Sequence, residues 1–241
     1  MEMQNRIKLI GLPYAGGNKF SFNEFYQYLG DSVESITLEL PGRGKRISER
    51  LLDDLDSMTD DLYLQIRPYL QDDYILYGHS MGGILGNLLI RKILSNNKKP
   101  PSVFLITGCA APQFRKKEAH LHVLTDAKLK DELGKLGGFP DEIMHNDELM
   151  EFLLPIIRAD IKALETYAYQ QDPRYKVPVT IIIGDNEDIS DEQLYGWELE
   201  TSGPFEAHKF EGNHFFILDH FEALADLVHE KVDAIRGKVV L

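Results

Sequence analysis

The sequence predicts an α/β protein with a mostly parallel β-sheet, and three observations support this prediction. Short apolar runs alternate with longer segments in which apolar residues recur at helical spacing. Several short runs, such as YILY and VTIII, are apolar almost throughout, which is typical of strands covered by helices on both faces. The chain has 241 residues, 43% of them hydrophobic, and is long enough to bury a deep core. We therefore expect one domain that spans residues 1–241.

Six strands are predicted from the short apolar runs. They span residues 6–12, 35–40, 73–77, 102–107, 177–183 and 205–210. Helical periodicity follows the third strand and recurs near the C-terminus, at Leu85, Leu88, Leu89 and Ile93 and at Phe221, Leu224, Leu227, Val228 and Val232. Gly82, Gly83 and Gly86 each weaken the first of these helices by up to about 1 kcal/mol. We interpret them as positions where the helix packs closely against the strands.

The alternation stops between residues 112 and 171, where the pattern is helical throughout. Gly137, Gly138 and Pro140 split this stretch. We expect an inserted helical lid over the carboxyl ends of the strands, where open α/β sheets bind ligands. Arg158 and Asp160 are expected to pair with each other and anchor the lid.

Charge and composition exclude several classes of protein. The formal net charge of −13 argues against nucleic-acid binding, which needs a basic surface. The single cysteine, Cys109, cannot form an internal disulfide. No apolar run approaches the roughly 20 residues of a membrane-spanning helix, and the N-terminus lacks the apolar segment of a signal peptide. We therefore expect a cytoplasmic protein with no membrane or nucleic-acid partner.

The strongest local motif is Gly-x-Ser-x-Gly, formed by Gly78, Ser80 and Gly82. It lies between a predicted strand and a predicted helix, which is the arrangement of a nucleophile elbow. Such a tight turn forces the serine into a strained backbone conformation and raises its hydroxyl above the sheet. Ser80 is therefore the candidate nucleophile. The N–H of Met81, at the helix N-terminus, is a candidate oxyanion donor.

A serine nucleophile needs a positioned base, and in this arrangement the chain order is Ser, acid, His. His214 lies in a glycine-containing loop between the last strand and the last helix, and it is the predicted base. His208 lies inside a predicted strand, and His220 and His229 lie on the last helix. His79, although next to the serine, is expected to point away from it.

The sequence offers more than one candidate for the acid and for the second oxyanion donor. Asp185, Glu187 and Asp188 follow the fifth strand. Asp185 lies too close to the strand to turn back easily, and Asp188 is favoured over Glu187 because aspartate is the usual acid. The loop after the first strand supplies the second backbone donor, for which Tyr14 is favoured and Ala15 is the alternative.

No metal site is predicted. His120 and His122 form an H-x-H pair, but no further ligands accompany them in the sequence.

Several motifs together resemble the type II thioesterases that accompany nonribosomal peptide and polyketide synthetases. The motifs are LPYAGG, LELPGRGKR, YGHSMGG, FLLPIIRADIKALETY and GNHFFI, between residues 9 and 218. The resemblance implies an α/β-hydrolase fold with a helical lid, Ser80 as nucleophile and His214 as base. The family acid stands three residues after the strand-ending glycine, and Glu187 occupies that position here.

The resemblance also implies a substrate and a partner. The substrates would be acyl or aminoacyl thioesters on the phosphopantetheine arm of a carrier protein, hydrolysed by a monomer that needs no cofactor. Two alternatives are a small-molecule carboxylesterase or acyltransferase, and a binding protein without activity. Carrier proteins are commonly acidic, so we expect a basic docking patch, with Arg43, Lys45, Arg46 and residues 115–117 as candidates.

The apolar residues of the lid have two interpretations: they pack its own core, or they line an acyl channel. The residues concerned are Leu121, Leu133, Leu136, Phe139, Met144, Leu149, Met150, Phe152 and Leu153.

Overall fold

A computed structural model describes residues 6–114, 120–136 and 145–239. In these ranges six parallel strands form one sheet in the order β2-β1-β3-β4-β5-β6. The strands are β1 (Ile7–Leu12), β2 (Val33–Thr37), β3 (Tyr74–His79), β4 (Val103–Thr107), β5 (Val179–Gly184) and β6 (Phe205–Phe210). The predicted α/β class is confirmed.

Helices connect the strands and cover both faces of the sheet. They are α1 (Asn23–Tyr26), α2 (Leu55–Ile66), α3 (Met81–Ser95), α4 (Asp126–Leu136), α5 (Asp147–Thr166), α6 (Asp191–Tyr195) and α7 (Phe221–Val239). One hydrophobic cluster joins the sheet to α2 and α3, and a second joins the opposite face to α1 and α7. Side chains alternate between the two clusters along β3, where Leu76 belongs to the first and Ile75 and Tyr77 to the second. This two-sided burial explains the continuous apolar runs.

The largest difference from the predicted strands is at β2. The prediction began at residue 35 and ended at 40, whereas β2 spans Val33–Thr37. Leu38 and Leu40 are only 3% and 6% exposed, but they lie in the loop that follows, where they pack into the first cluster. Burial in a loop produced the same apolar pattern as burial in a strand.

The described chain between β4 and β5 contains the helices α4 and α5, but the predicted helical stretch ends at Thr166 rather than at residue 171, and residues 167–178 are not helical. Residues from α4 and α5 form a third cluster of Leu129, Leu133, Met150, Leu154, Ile157 and Ile161, with Leu121 and Leu153 packed against it. Packing of a separate core is therefore confirmed for four of the predicted apolar residues, whereas Leu149 and Phe152 are exposed. The side chains of Leu136, Phe139 and Met144 lie outside the described residues.

Among the described helices, none combines the length and the apolarity that a membrane crossing requires.

The glycines of α3 lie where the helix contacts the sheet, as the sequence predicted. A Cβ atom on Gly82 would overlap the carbonyl oxygen of Leu12, at the end of β1. A Cβ atom on Gly86 would lie 2.5 Å from Cε2 of Phe104, whose ring is fully buried in β4. Both contacts require a residue without a side chain.

We expect Gly86→Ala to lower the free energy of unfolding by about 1–3 kcal/mol, because the buried Phe104 ring has no room to retreat. Gly237→Ala is the matched control, since Gly237 lies in α7 and an added Cβ would have no atom within 4 Å beyond its neighbours in the same helix. That variant should gain up to about 1 kcal/mol from helix propensity. Urea unfolding of both variants measures these changes, and a Gly86→Ala protein as stable as the wild type would contradict the packing argument.

Candidate active site

Ser80 joins β3 to α3 in a strained backbone conformation, with φ 54° and ψ −115°. A non-glycine residue in this region carries roughly 1–3 kcal/mol of strain, which persists only where the surroundings hold it. Two hydrogen bonds do so here: Ser80 N donates to Thr107 O at 2.9 Å, and Gly83 N donates to Ser80 O at 2.9 Å. A Cβ atom on Gly78 would overlap the carbonyl of Gly82, so the elbow has no room for a larger residue there. The geometry is that of a nucleophile elbow.

Ser80, His214 and Glu187 form one hydrogen-bonded chain. The Oγ of Ser80 lies 3.0 Å from Nε2 of His214, and Nδ1 of His214 lies 2.6 Å from Oε1 of Glu187. The Glu187 side chain is only 3% exposed, whereas that of His214 is 20% exposed. The arrangement has a hydroxyl, an imidazole and a buried carboxylate in the order that activates a serine.

The preference for Asp188 as the acid was wrong, because the carboxylate bonded to His214 is that of Glu187. The turn after β5 explains why Glu187 and not Asp188 contacts His214. Glu187 N donates to Gly184 O at 3.2 Å, and its Oε2 accepts from Gly184 N at 2.7 Å, which folds the side chain back over the strand end. Its other oxygen then faces the imidazole, while Asp188 is exposed.

Backbone contacts hold the His214 loop against the acid loop. Asp185 Oδ1 accepts from Gly212 N at 2.9 Å, and Asn186 N donates to Gly212 O at 3.0 Å. A Cβ atom on Gly184 would lie 2.5 Å from Asn213 O, so this approach requires glycine. Asp185 therefore binds the backbone of the histidine loop, a role that the sequence analysis missed.

His79 does not join this hydrogen-bonded chain but packs against it. Its ring centroid lies 5.1 Å from that of His214, and its Nδ1 lies 3.0 Å from Thr107 Oγ1. Complete burial, together with the nearby His214, holds the pKa of His79 well below its ordinary value. His79 is therefore a neutral support behind the His214 ring, a contact that sequence reasoning did not anticipate.

The loop after β1 lies beside the start of α3. The close approach of Gly82 to Leu12 brings Met81 next to this loop, in which Gly17 N donates to Tyr14 O at 2.8 Å. The Tyr14 ring stacks edge-on against Phe215, with centroids 5.0 Å apart. Met81 and Tyr14, with Ala15 as the alternative, remain the predicted oxyanion donors.

The prediction that Arg158 and Asp160 form an ion pair was wrong. Residues two apart on a helix do not face each other, and the two side chains bind different partners. Arg158 donates to the carbonyls of His122 and Leu124 and to Asp126, whereas Asp160 forms a bidentate pair with Arg43.

Two of the predicted docking cations are already paired. Arg43 is buried against Asp160, and Arg46 binds both Glu49 and Asp61. Lys45 is exposed, and residues 115–117 lie outside the described residues. Arg43 is therefore not part of a docking surface.

The H-x-H pair does not form the core of a metal site within the described ranges. Nδ1 of His122 bonds to Glu165, whose carboxylate also accepts from Leu121 N at 2.7 Å. No group of three or more metal-ligating side chains converges in the described parts of the chain.

Comparison with known families decides the identity of the chain. Residues 7–232 match the thioesterase domain family, and this range includes every residue of the Ser80–His214–Glu187 chain. The protein belongs to the thioesterase family.

Several known proteins are similar to this thioesterase over almost their full length. The gramicidin S biosynthesis protein GrsT of Aneurinibacillus migulanus is 29% identical over 215 residues, which cover 89% of this chain and 84% of that protein. The type II thioesterase BorB from the borrelidin biosynthetic cluster is 30% identical, with a TM-score of 0.88 and coverage of 95% and 94%. ClbQ from the colibactin NRPS/PKS pathway is 32% identical, with a TM-score of 0.90 and coverage of 96% and 99%. The resemblance to type II thioesterases and the α/β-hydrolase fold are confirmed, and the protein is a thioester hydrolase.

The thioesterase should depend on Glu187 and not on Asp188. We expect Glu187→Gln to lower kcat by roughly 10³–10⁴-fold, because the amide no longer holds the imidazole tautomer or stabilises its charged form. Asp188→Asn is the matched control and should stay within about twofold of the wild type. Steady-state hydrolysis of a short acyl thioester measures both, and equal losses in the two variants would restore Asp188 as a candidate.

His79 should make the thioesterase less stable in mild acid. Its folded pKa lies below the ordinary value of 6.5, so the unfolded chain binds more protons at low pH. The contribution of His79 to the free energy of unfolding is fully present above about pH 6.5. It falls by up to about 1.4 kcal/mol per pH unit as the pH drops below that value. We expect His79→Asn to flatten this dependence in urea unfolding between about pH 7 and pH 5. Parallel curves for variant and wild type would contradict the assignment.

Proposed function

We propose that this thioesterase hydrolyses acyl and aminoacyl thioesters on the phosphopantetheine arm of carrier proteins. The observation that carries the proposal is the Ser80–His214–Glu187 chain, with its 3.0 Å and 2.6 Å contacts, in a protein of the thioesterase family. The names of its relatives support the setting, since BorB is described with the borrelidin biosynthetic cluster and ClbQ with an NRPS/PKS pathway. In that setting the enzyme would clear mis-primed or stalled groups and regenerate the free carrier thiol.

The first half of the reaction forms an acyl-enzyme. Ser80 Oγ attacks the thioester carbonyl carbon while Nε2 of His214 takes the hydroxyl proton. Glu187 accepts a hydrogen bond from Nδ1–H of His214 and stabilises the imidazolium. The backbone N–H groups of Met81 and Tyr14 hold the oxyanion, and removal of one such donor typically costs roughly 2.7–4 kcal/mol of barrier. The C–S bond then breaks, and the carrier arm leaves as a free thiol, whose sulfur takes the proton from His214.

The second half hydrolyses the acyl-enzyme. His214 takes a proton from water, whose oxygen attacks the ester carbonyl, and returns it to Ser80 Oγ as the acid leaves. Each step uses side chains and backbone groups of this chain, so the proposal requires no cofactor. The buried, neutral His79 ring supports the imidazole through both halves.

The remaining parts of the proposal concern the partner and the insertion. The partner is an acidic carrier protein, and exposed Lys45 remains a candidate contact. The enzyme acts as a monomer in the cytoplasm. The helical insertion between β4 and β5 serves as the lid over the acyl group, and α5 supplies its central helix.

The proposal predicts that wild-type enzyme removes acyl groups from several acyl-loaded carrier proteins, and that Ser80→Ala is slower by at least roughly 10³-fold. Intact-mass analysis of the carriers follows the loss of each acyl group. Oxygen esters with the same acyl groups are the control and should react more slowly, because an alkoxide leaves less readily than a thiolate. Preference for the oxygen esters would favour the carboxylesterase alternative, and unchanged turnover by Ser80→Ala would reject the proposed nucleophile.

A further inference from the structure

A buried ion pair connects the insertion to the core. Arg43 lies in the loop after β2, and Asp160 lies on α5. Arg43 Nη1 and Nη2 donate to the two Asp160 oxygens at 2.6 Å and 2.7 Å, and the side chains are 3% and 0% exposed. Removing two charges from water is costly, and a buried pair is by itself weak evidence for stability. Stability alone therefore does not explain the Arg43–Asp160 pair, and its contacts with other residues indicate its role.

The Asp160 carboxylate accepts a third hydrogen bond, from the loop after β1. Gly16 N donates to Asp160 Oδ2 at 2.7 Å, and Arg43 Nη1 also lies 3.4 Å from Gly17 O. Ile157, one helical turn before Asp160, packs on the same spot, because a Cβ atom on Gly16 would lie 2.6 Å from its Cγ1. Helix α5 thus touches the loop both through a hydrogen bond and through an apolar contact.

This loop contains both candidates for the second oxyanion donor. Tyr14 and Ala15 immediately precede Gly16, and Gly17 N donates to Tyr14 O. At the other end of the loop, Leu12 is held by its contact with Gly82. The oxyanion donor, the backbone N–H of Tyr14 or Ala15, lies between these two ends, so its position depends on where Gly16 is held. Asp160 holds Gly16 by accepting a hydrogen bond from the Gly16 N–H.

Charge balance explains why an arginine accompanies the aspartate. An unpaired carboxylate bonded to the loop that carries the donor would repel the negative charge that develops in the transition state. The bidentate Arg43 contact cancels that charge and fixes the plane of the carboxylate, which leaves one lone pair for Gly16. The pair therefore acts on the loop as a neutral, rigid acceptor.

We propose that Asp160 and Arg43 are positioning residues for the oxyanion hole, and that α5 is in this way part of the catalytic machinery. The inference rests on the proposed function, because it assigns the loop after β1 to oxyanion binding. It adds that the insertion sets the position of the loop's donor, in addition to any role as a cover.

Two neutral double variants test the Gly16 hydrogen bond directly. Arg43→Met/Asp160→Asn and Arg43→Met/Asp160→Leu both remove the buried charges, but only the asparagine keeps an oxygen that can accept from Gly16 N. Each variant is assayed for kcat and KM on a short acyl thioester. Each is also assayed for inhibition by the matching alkyl trifluoromethyl ketone. Ser80 Oγ adds to that ketone carbon, its proton passes to His214, and the resulting oxyanion occupies the oxyanion hole.

We expect the leucine variant to lose roughly 10–100-fold in kcat with KM within about twofold, because the donor moves away from the transition-state oxygen. The Ki of the ketone should rise by a similar factor. The asparagine variant should recover most of both losses. Equal kcat and Ki in the two double variants would overturn the inference.

A buried pair elsewhere separates positioning from general stability. Glu200 is fully buried and accepts from Arg91 Nη2 at 2.5 Å and from Asn87 Nδ2 at 3.0 Å, away from the loop after β1. Glu200→Gln should lower the melting temperature and leave the ketone Ki unchanged. If Arg43→Met/Asp160→Leu behaves in the same way, it loses only stability and the fraction of active enzyme, with the ketone Ki unchanged. In that case the Arg43–Asp160 pair is merely structural and the inference fails.

Asp160→Glu extends the test if neither double variant folds. It keeps the charge and the Arg43 contact but moves the carboxylate by one methylene, so the same fall in kcat and rise in Ki are expected. An unchanged Ki would overturn the inference. Wild-type turnover and its loss in Ser80→Ala test the proposed function alone, so the two failures are distinguishable.

Discussion

Backbone-to-backbone contact at the carboxyl edge of the sheet is the constraint on which the site depends. At the start of α3, the backbone of Gly82 packs against the carbonyl of Leu12. At the end of β5, the backbone of Gly184 packs against the loop that carries His214. Gly108, at the end of β4 with φ 57°, leaves space for both histidine-bearing segments, because a Cβ atom there would lie 2.7 Å from His79 Cε1 and 3.3 Å from His214 O. A side chain at any of these three points would separate groups that must lie within hydrogen-bond distance.

The polar contacts around the site divide into those that face the chemistry and those that hold its supports. His214 and Glu187 belong to the first kind. Asp185 and Asp160 belong to the second, since each carboxylate accepts a backbone N–H from a glycine in a neighbouring loop. One of these two carboxylates is buried and the other exposed, yet each fixes a loop that lies beside the reactive groups.

Some of this was accessible from the sequence, and the reasons differ from residue to residue. Ser80 and His214 stood out because a strand, a tight turn and a helix leave a local signature, and because chain order limits the choice of histidine. The acid could not be identified from the sequence, because Asp188 and Glu187 are adjacent. The turn at Gly184 decides which of the two faces the imidazole. Arg43 looked like a surface cation in the sequence because its partner, Asp160, is 117 residues away. Contacts between distant segments leave no local pattern, and the buried apolar loop after β2 imitated the pattern of a strand.

The distance along the chain between the reacting groups also has a consequence for folding. Ser80 and His214 are 134 residues apart, and His214 follows β6, which pairs with β5 at the edge of the described sheet. The segment with Ser80 is therefore synthesised well before the segment with His214, although a domain generally folds as a unit. A chain in which the loop after β6 has not docked lacks the contact between Ser80 Oγ and His214 Nε2 that activates the serine. Turnover therefore reports that two segments distant in the sequence have come together at the edge of the sheet.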